Sequence, residues 1–245
     1  MRTHDPPDAA ERQNGPVPIT PREFGERGRR RAAALGIDPS RLPPGQSPTL
    51  KWPVLSVGPT ARVDTDRWQL AVDGAVQQPY VLDWAALLTS EQSEWTGDIH
   101  CVTRWSKFDM RWRGVSVRVL LERARPRPEA THVVAHSYGG YTTNLALDDL
   151  LAHPALVAHQ AEGAPLEPDH GGPVRLLVPH LYFWKSAKWL CRLEVLEGDR
   201  LGFWEENGYH HRGDPWQQER YSVDEYAART KGRAARAASA QDGTR

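Results

Sequence analysis

The chain has 245 residues, enough for one large domain or two small ones. Its 31 Lys and Arg residues balance 31 Asp and Glu residues, which argues against a nucleic-acid-binding protein that relies on bulk positive charge. Apolar residues make up 39% of the chain, and no segment approaches the roughly 18–20 apolar residues that cross a bilayer, so we predict a globular protein without a membrane segment.

The N-terminal residues 1–48 are rich in proline and are predicted to be an extended arm or coil, because runs such as RLPPGQSP have fixed φ angles and few backbone donors. MRTHDPPDAAERQNGP has acids and prolines where a signal peptide has an apolar run. The triplet Arg29–Arg31 is followed only by AAALGI, too short for an export signal. We therefore expect a cytoplasmic protein.

The folded domain is predicted to span residues 49–226. Residues 227–245 end in KGRAARAASAQDGTR, a basic stretch with almost nothing to bury, and are expected to be disordered.

Within the domain, RWQLAVDG alternates apolar and polar residues and predicts a strand. VLDWAALLTS predicts a helix with Asp83 as its N-cap, and GVSVRVLLERARP predicts a strand or turn that leads into a helix ending at Pro126. THVVAHS, YTTNLAL, PVRLLVP and WLCRLEVLEG are strand-like, and LDDLLAHPAL is helical. Strands outnumber helices without regular alternation, so the predicted class is α+β with a mixed sheet.

The stretch DIHCVTRWSKFDMRWRGVSV contains a single cysteine, Cys101, among tryptophans and cations. Positive neighbours favour a thiolate, which is a ligand for a soft, redox-active metal.

Two alternatives to a metal-binding thiolate remain open. Cys101 is a nucleophile candidate for a cysteine hydrolase, with His100, His136 or His180 as base. A zinc site would use ligands such as His210 and His211 with His180 or Cys101, although the two cysteines do not have zinc spacing.

A second stretch, DHGGPVRLLVPHLYFWKSAKWL, has the features of a site for an anionic, phosphate-bearing cofactor. Gly171 and Gly172 permit close backbone approach, Arg175 offers a planar fork for phosphate, and Lys185 and Lys188 offer point charges. The alternative is a glycine turn with two lysines on a solvated face.

Together, CVTRWS, the following W-R-G-V segment, DHGGPVR and KSAKWL resemble the sulfite-oxidase family of molybdopterin-dependent oxidoreductases, especially its small bacterial members with the molybdenum domain alone. The resemblance covers about residues 43–226. It implies the mixed-sheet molybdopterin-binding fold of that family and a molybdenum–molybdopterin cofactor.

The resemblance also implies roles for single residues. Cys101 would be the protein's thiolate ligand to molybdenum, the other sulfurs coming from the pterin dithiolene. The residues implied to bind the cofactor are Trp52, Leu55, Ser56, His136, His170, Arg175, Ser186, Ala187 and Lys188. The segment from His136 to Tyr141 would lie near the substrate mouth, and Lys51, Arg104 and Lys107 are the candidate cations for contacting the substrate.

The predicted function is two-electron oxygen-atom transfer on a small oxo-anion or an S- or N-oxide. With neither a haem domain nor the dimerising domain of larger sulfite oxidases in the resemblance, we expect a monomer with a separate electron-transfer partner. The alternative of another class is a non-catalytic module that keeps the fold for binding.

Overall fold

A computed structural model describes residues 21–222. It contains five α-helices and eleven strands within that range. The helices are α1 (Pro21–Ala34), α2 (Trp84–Thr89), α3 (Val117–Ala124), α4 (Leu147–Ala152) and α5 (Phe203–Glu206). The strands are β1 (Ser47–Pro48), β2 (Gln69–Gly74), β3 (Tyr80–Asp83), β4 (Gln92–His100), β5 (Trp105–Ser116), β6 (His132–Ser137), β7 (Thr142–Ala146), β8 (Leu156–Ala161), β9 (Ala164–Pro165), β10 (Arg175–Leu177) and β11 (Leu190–Leu196).

The strands form two mixed sheets. The first has the order β1-β5-β8-β10, with β4 also paired to β5 and β9 to β8. The second has the order β3-β2-β11-β6-β7. Only β1 with β5 and β11 with β2 pair in parallel, while the other pairs are antiparallel. The predicted α+β class with mixed sheets is therefore confirmed.

The main core contains side chains from both sheets and from α3. Leu70 and Val72 of β2 belong to the same buried cluster as Val157 of β8 and Leu120 and Leu121 of α3. Fully burying such a side chain contributes roughly 1.5–3 kcal/mol, so this shared core is the main link between the sheets.

Most predicted elements inside the domain are present. The Asp83 side chain accepts a hydrogen bond from the backbone N–H of Ala86 at 2.8 Å, as an N-cap does at the start of α2. α3 ends at Ala124, and Arg125 adopts the left-handed conformation before Pro126. None of the helices within residues 21–222 has the length and apolar character that a bilayer crossing needs.

The N-terminal segment differs from the predicted coil, because residues 21–34 form helix α1. The helix packs on the chain around β1. A Cβ at Gly28 would lie 2.1 Å from the carbonyl oxygen of Gln46, so glycine permits this close approach. Ala32 on the same helix is fully buried. The coil prediction for residues 1–48 rests on their proline content. Residues 1–20, like the predicted tail 227–245, lie outside the described range.

Candidate active site

A cavity of about 300 Å³ opens beside Cys101. Its walls come from five parts of the chain that are distant in sequence: the irregular segment 52–57, the turn after β4, the end of β6 with the turn that follows it, the loop before β10, and the segment that connects β10 to β11. Trp204 of α5 and Tyr209 complete the lining. Most of the sequence-predicted site residues meet here.

Cys101 follows the last residue of β4 in a tight turn. The backbone N–H of Arg104 donates to the Cys101 carbonyl at 2.9 Å, and Arg104 has φ 74°, in the left-handed region. The N–H of Cys101 donates to the carbonyl of Trp105, at the start of β5. The Thr103 hydroxyl donates to the Cys101 sulfur at 3.2 Å. The two paired strands thus hold the sulfur at the cavity wall.

The charge state of Cys101 differs from the sequence expectation of a thiolate stabilised by cations. Burial raises the pKa of the Cys101 thiol, and the Thr103 hydrogen bonds and the Arg220 charge oppose this only in part. The protein alone therefore keeps the sulfur protonated, and a bound metal is needed to displace the proton.

Arg175 is a buried cation in the cavity wall, with 1% of its surface exposed. Its guanidinium donates to the backbone carbonyls of His170 and Ser186, both at 2.7 Å. The ring of Phe183 lies 4.2 Å from the guanidinium carbon. Burial lowers the pKa of Arg175 to about 9. Among the described residues no carboxylate forms an ion pair with it, so its charge is available to an anion in the cavity.

Lys188 adds a second cation to the same wall. Its ammonium donates to the Ser56 hydroxyl at 2.8 Å and to the Asp169 backbone carbonyl at 2.6 Å. Burial, and then the charge of Arg175, lower the pKa of Lys188 to about 8. Gly171, with φ 103°, lets the two side chains approach: a Cβ there would lie 3.0 Å from Lys188 and 3.1 Å from Arg175.

Trp52 and His170 form the adjoining part of the wall. Their ring centroids are 3.8 Å apart, and the Nε2 atom of His170 lies 3.2 Å from the Trp52 carbonyl oxygen. Burial lowers the pKa of His170. Leu55 and Ser56 continue this segment along the cavity. The predicted cofactor residues Trp52, Leu55, Ser56, His170, Arg175, Ser186 and Lys188 thus line one cavity with Cys101.

The hydrophobic side chains that pack with Cys101 are mostly aromatic. Trp184 belongs to the same buried cluster, with Trp204 and Tyr209 packed against it. The rings of Trp204 and Tyr209 are stacked, with centroids 4.7 Å apart. Tyr141 also lines the cavity and donates to the Trp184 carbonyl at 2.7 Å. Burial raises the pKa of Tyr141 well above its usual 10, so the phenol stays neutral.

Four predicted site residues do not line the cavity. Arg104 donates to the Gly45 carbonyl and lies over the Phe24 ring of α1. Lys107 donates to the Leu50 carbonyl. His136 of β6 is 2.8 Å from Glu194 in the second sheet. The Ala187 methyl is buried in the main core.

The arrangement does not assemble a cysteine hydrolase from the predicted bases. His100 contacts the Ser106 hydroxyl at 2.8 Å, and none of His100, His136 and His180 lines the cavity. The proposed zinc pair is also dispersed, since His210 lies near Glu219 and His211 near Asp199. Lys185, a predicted phosphate contact, is instead fully buried in an ion pair with Glu205.

Two lining residues carry polar atoms that the sequence did not single out for the cofactor. The Ser137 hydroxyl and the Trp105 indole N–H are buried and have no hydrogen-bond partner in the described structure. Buried polar groups without partners are rare, so both fit hydrogen bonding to a molecule held in the cavity. The sequence alone does not mark Ser137 and Trp105 as cofactor contacts, because single Ser and Trp residues on strands are common.

The comparisons with known proteins decide the family. The family model "oxidoreductase molybdopterin binding domain" matches residues 57–204, more than half of the chain. The chain belongs to this family. Its cofactor is therefore molybdenum–molybdopterin, as the motifs implied, and the expected sulfite-oxidase type of molybdenum domain is confirmed.

Individual relatives agree with this assignment. The uncharacterized oxidoreductase YuiH of Bacillus subtilis is 45% identical over 185 residues, which cover 75% of this chain and 93% of the relative. The protein-methionine-sulfoxide reductase catalytic subunit MsrP of Gluconobacter oxydans is 30% identical over 56% of this chain and 49% of its own length. The crystal structure of the sulfane dehydrogenase SoxCD from Paracoccus pantotrophus matches with TM-score 0.55 and 20% identity, over 64% of this chain and 46% of that chain. This last match shows the shared fold.

The residues present suit the cofactor of the family. Arg175 and Lys188 provide positive charge for its phosphate, Ser137 and Trp105 provide buried polar atoms without internal partners, and Cys101 provides a soft sulfur ligand. The cavity therefore combines an anion-binding wall with a thiol.

Proposed function

We propose that the chain reduces a neutral organic S- or N-oxide by two-electron oxygen-atom transfer at molybdenum. For a sulfoxide the balanced reaction is R₂SO + 2 e⁻ + 2 H⁺ → R₂S + H₂O. A separate redox protein would supply the electrons to a monomeric chain.

The observation that carries the proposal is the distribution of charge around the cavity. The lining cations Arg175 and Lys188 bond to the loop that contains Asp169 and His170, whereas the side chains packed with Cys101 are aromatic or apolar. The described lining residues that pack with Cys101 offer an oxo-anion no cation, and Arg220, whose charge acts on Cys101, donates to the Val102 carbonyl and does not line the cavity. A neutral oxide needs none, and its organic groups gain from burial against Trp184, Trp204 and Tyr209.

The sequence hypothesis that Arg104 or Lys107 meets an anionic substrate loses its support, because both side chains bond to backbone carbonyls outside the cavity. The names of two relatives, protein-methionine-sulfoxide reductases from Gluconobacter oxydans and Campylobacter jejuni, favour a sulfoxide.

The proposed roles of the residues follow from their contacts. Cys101 would ligate the metal through sulfur, and the Thr103 hydroxyl would donate a hydrogen bond to that sulfur and fix its orientation. Arg175 and Lys188 would hold the cofactor phosphate, and the aromatic wall would exclude water and bind the organic part of the substrate. When bound, the cofactor supplies the exchangeable oxygen position and the two-electron redox chemistry.

Steady-state assays of the molybdenum-loaded chain test the proposal. With reduced methyl viologen as electron donor, we expect turnover of methyl p-tolyl sulfoxide. With an oxidising dye as acceptor, we expect kcat/KM for sulfite to be at least about 100-fold lower. Trp204→Ala should raise KM for the aryl sulfoxide about tenfold or more, because about 1.5–3 kcal/mol of burial is lost.

The matched control is Trp216→Ala, which removes an exposed indole that does not line the cavity. It should leave KM unchanged. Faster turnover of sulfite than of the sulfoxide, or equal effects of the two tryptophan substitutions, would overturn the proposal.

A further inference from the structure

Outside the cavity, one group of side chains in the described structure has the composition of a metal site. Asp149 of α4, His153 just after α4, and His180 each offer one ligand atom, and these atoms lie within 4.8 Å of one another. Asp149 and His153 are four residues apart, a spacing that places both on one face of a helix. None of the three lines the cavity.

His180 is the residue that makes this group unusual. Both of its ring nitrogens are buried without a hydrogen-bond partner in the described structure. Its Nε2 atom lies 3.9 Å from Asp149 Oδ1, too far for a hydrogen bond. The ring of His153 packs on it, with centroids 4.2 Å apart. A buried imidazole nitrogen without a hydrogen-bond partner costs about 1–3 kcal/mol. A ligand bound between these side chains would give a His180 nitrogen a partner and so remove this cost.

Asp149 keeps the capacity to bind a metal although it is already paired. The Arg212 guanidinium donates to both carboxylate oxygens, at 2.9 Å and 3.1 Å. A carboxylate has about four lone-pair sites, so each oxygen retains one. Ligating carboxylates and histidines are commonly oriented by such outer hydrogen bonds.

The protonation states suit metal binding near neutral pH. Burial, and then the neighbouring His153, lower the pKa of His180 to about 4, so its imidazole is neutral. Although burial raises the pKa of Asp149, the hydrogen bonds and charge of Arg212 bring it below its usual 3.8. Two histidine nitrogens and a carboxylate are ligand types that Zn²⁺ accepts in three-residue sites, with water in the fourth position.

We propose that Asp149, His153 and His180 form a second metal site that binds one Zn²⁺, separate from the molybdenum centre. Two ligand atoms of a tetrahedral zinc lie about 3.4 Å apart. Binding therefore requires a small rotation of the two imidazole rings that brings their ligand nitrogens closer together. His153 is exposed and has room to make this movement. The bound ion would join α4 to the segment 178–182, which leads from β10 into the cavity wall. The inference does not depend on the substrate proposed above.

The test is titration of the molybdenum-loaded chain with Zn²⁺ alone, followed by calorimetry and by elemental analysis after dialysis. The wild type should retain one zinc per chain. His153→Ala, at an exposed position that carries little folding risk, should bind at least about tenfold more weakly, since even the loss of an orienting partner lowers metal affinity about 10–100-fold. His180→Gln should do the same.

His132→Ala and Cys191→Ala are the controls for adventitious binding by other histidines and by the half-buried thiol. Both should keep the wild-type affinity. Zinc should also raise the unfolding midpoint of the wild type but not that of His153→Ala. Wild-type zinc affinity in His153→Ala, or an equal shift of the midpoint in both proteins, would overturn the proposal. The molybdenum content, measured in the same samples, separates this outcome from a failure of the active-site assignment.

Discussion

Arg175 and Lys188 are positive charges in a setting that does not neutralise them. Arg175 is 1% exposed and bonds only to backbone carbonyls, and Lys188 bonds to a hydroxyl and a carbonyl. Burying a cation in this way is unfavourable unless an anion joins it. The pterin phosphate of the cofactor is such an anion, and its binding should therefore raise the pKa values of Arg175 and Lys188.

Lys188→Ala should yield folded protein depleted of cofactor. A lost charge-assisted hydrogen bond is worth roughly 1.5–3 kcal/mol, which corresponds to about ten- to a hundredfold in cofactor affinity. The measurement is the molybdenum and pterin content per chain. Lys107→Ala is the matched control, because Lys107 lies on β5 outside the cavity and should retain wild-type content. Full occupancy in Lys188→Ala would contradict the role given to this cation.

At the residue scale, sequence motifs were a good guide where a motif fixes its own local geometry. Cys101, Arg175 and Lys188 lie in short segments with tight turns, and the cavity contains all three. Arg104 and His136 do not line the cavity, and their side chains instead contact distant partners, the Gly45 carbonyl and Glu194. No local pattern in the sequence reveals such contacts.

At the element scale, the buried ion pair of Lys185 and Glu205 connects the turn before β11 to α5. The two side chains are fully buried and 2.7 Å apart. Glu205 also accepts hydrogen bonds from the Trp184 indole at 2.8 Å and from the Thr143 hydroxyl at 3.1 Å. The pair therefore fixes the position of Trp184 in the aromatic part of the cavity.

Lys185→Met should lower the free energy of unfolding by about 3–5 kcal/mol, because it leaves the Glu205 carboxylate buried without its partner. Urea denaturation measures the change. The double variant Lys185→Met/Glu205→Leu should recover a large part of the loss, since no isolated charge remains. A single variant as stable as the wild type would show that the pair does not hold α5 in place.

His159 of β8 connects its sheet to helix α2. Its ring lies edge-on to Trp84 of α2, and its Nε2 atom is 2.8 Å from the Gln92 side-chain oxygen. Burial, and then the Arg113 charge, hold the pKa of His159 below its usual 6.5. The unfolded chain therefore binds more protons than the folded one as pH falls below 6.5. The stability associated with neutral His159 is fully present above pH 6.5 and is lost as pH falls through the folded pKa.

The free energy of unfolding should accordingly decrease more steeply on acidification from pH 6.5 in the wild type than in His159→Gln. Glutamine keeps a hydrogen-bonding group but does not titrate. The comparison is between the slopes of the free energy of unfolding against pH, because the substitution itself changes the absolute stability. His211→Gln, a substitution at an exposed position, should follow the wild-type slope. Identical slopes in His159→Gln and the wild type would contradict the assignment.

Element types were predictable from periodicity and caps inside the domain, and less so at its N-terminal side. β2 alternates apolar and polar residues, α2 begins after the capping Asp83, and β11 is a short run of mostly apolar residues. Helix α1 was missed because its run of arginines lacks an apolar stripe and its close packing depends on Gly28 meeting the Gln46 carbonyl. A sequence pattern does not show which backbone atoms from distant segments come into contact in the folded chain. The boundary at residue 48 remains a prediction.

At the scale of the whole molecule, the two sheets pack together around one core. The cavity is formed by the ends of several strands and by the segments that connect them. The wall segments come from positions between 52 and 209, so only the folded chain brings the anion-binding wall, the aromatic wall and the thiol together. The aromatic wall was not predicted, because Trp184, Trp204 and Tyr209 carry no motif of their own. Its uncharged surface beside Cys101 is the basis for proposing a neutral oxide as substrate.

The most direct test is X-ray absorption at the molybdenum edge, which counts the sulfur atoms bound to the metal. The pterin dithiolene supplies two, so the wild type should show three, the third from Cys101. Cys101→Ser should show two or fail to retain the metal, because a hydroxyl is a poor replacement for a soft thiolate. Cys191→Ala, which removes the half-buried thiol on β11, should keep three. Three sulfurs in Cys101→Ser, or two in Cys191→Ala, would contradict the account.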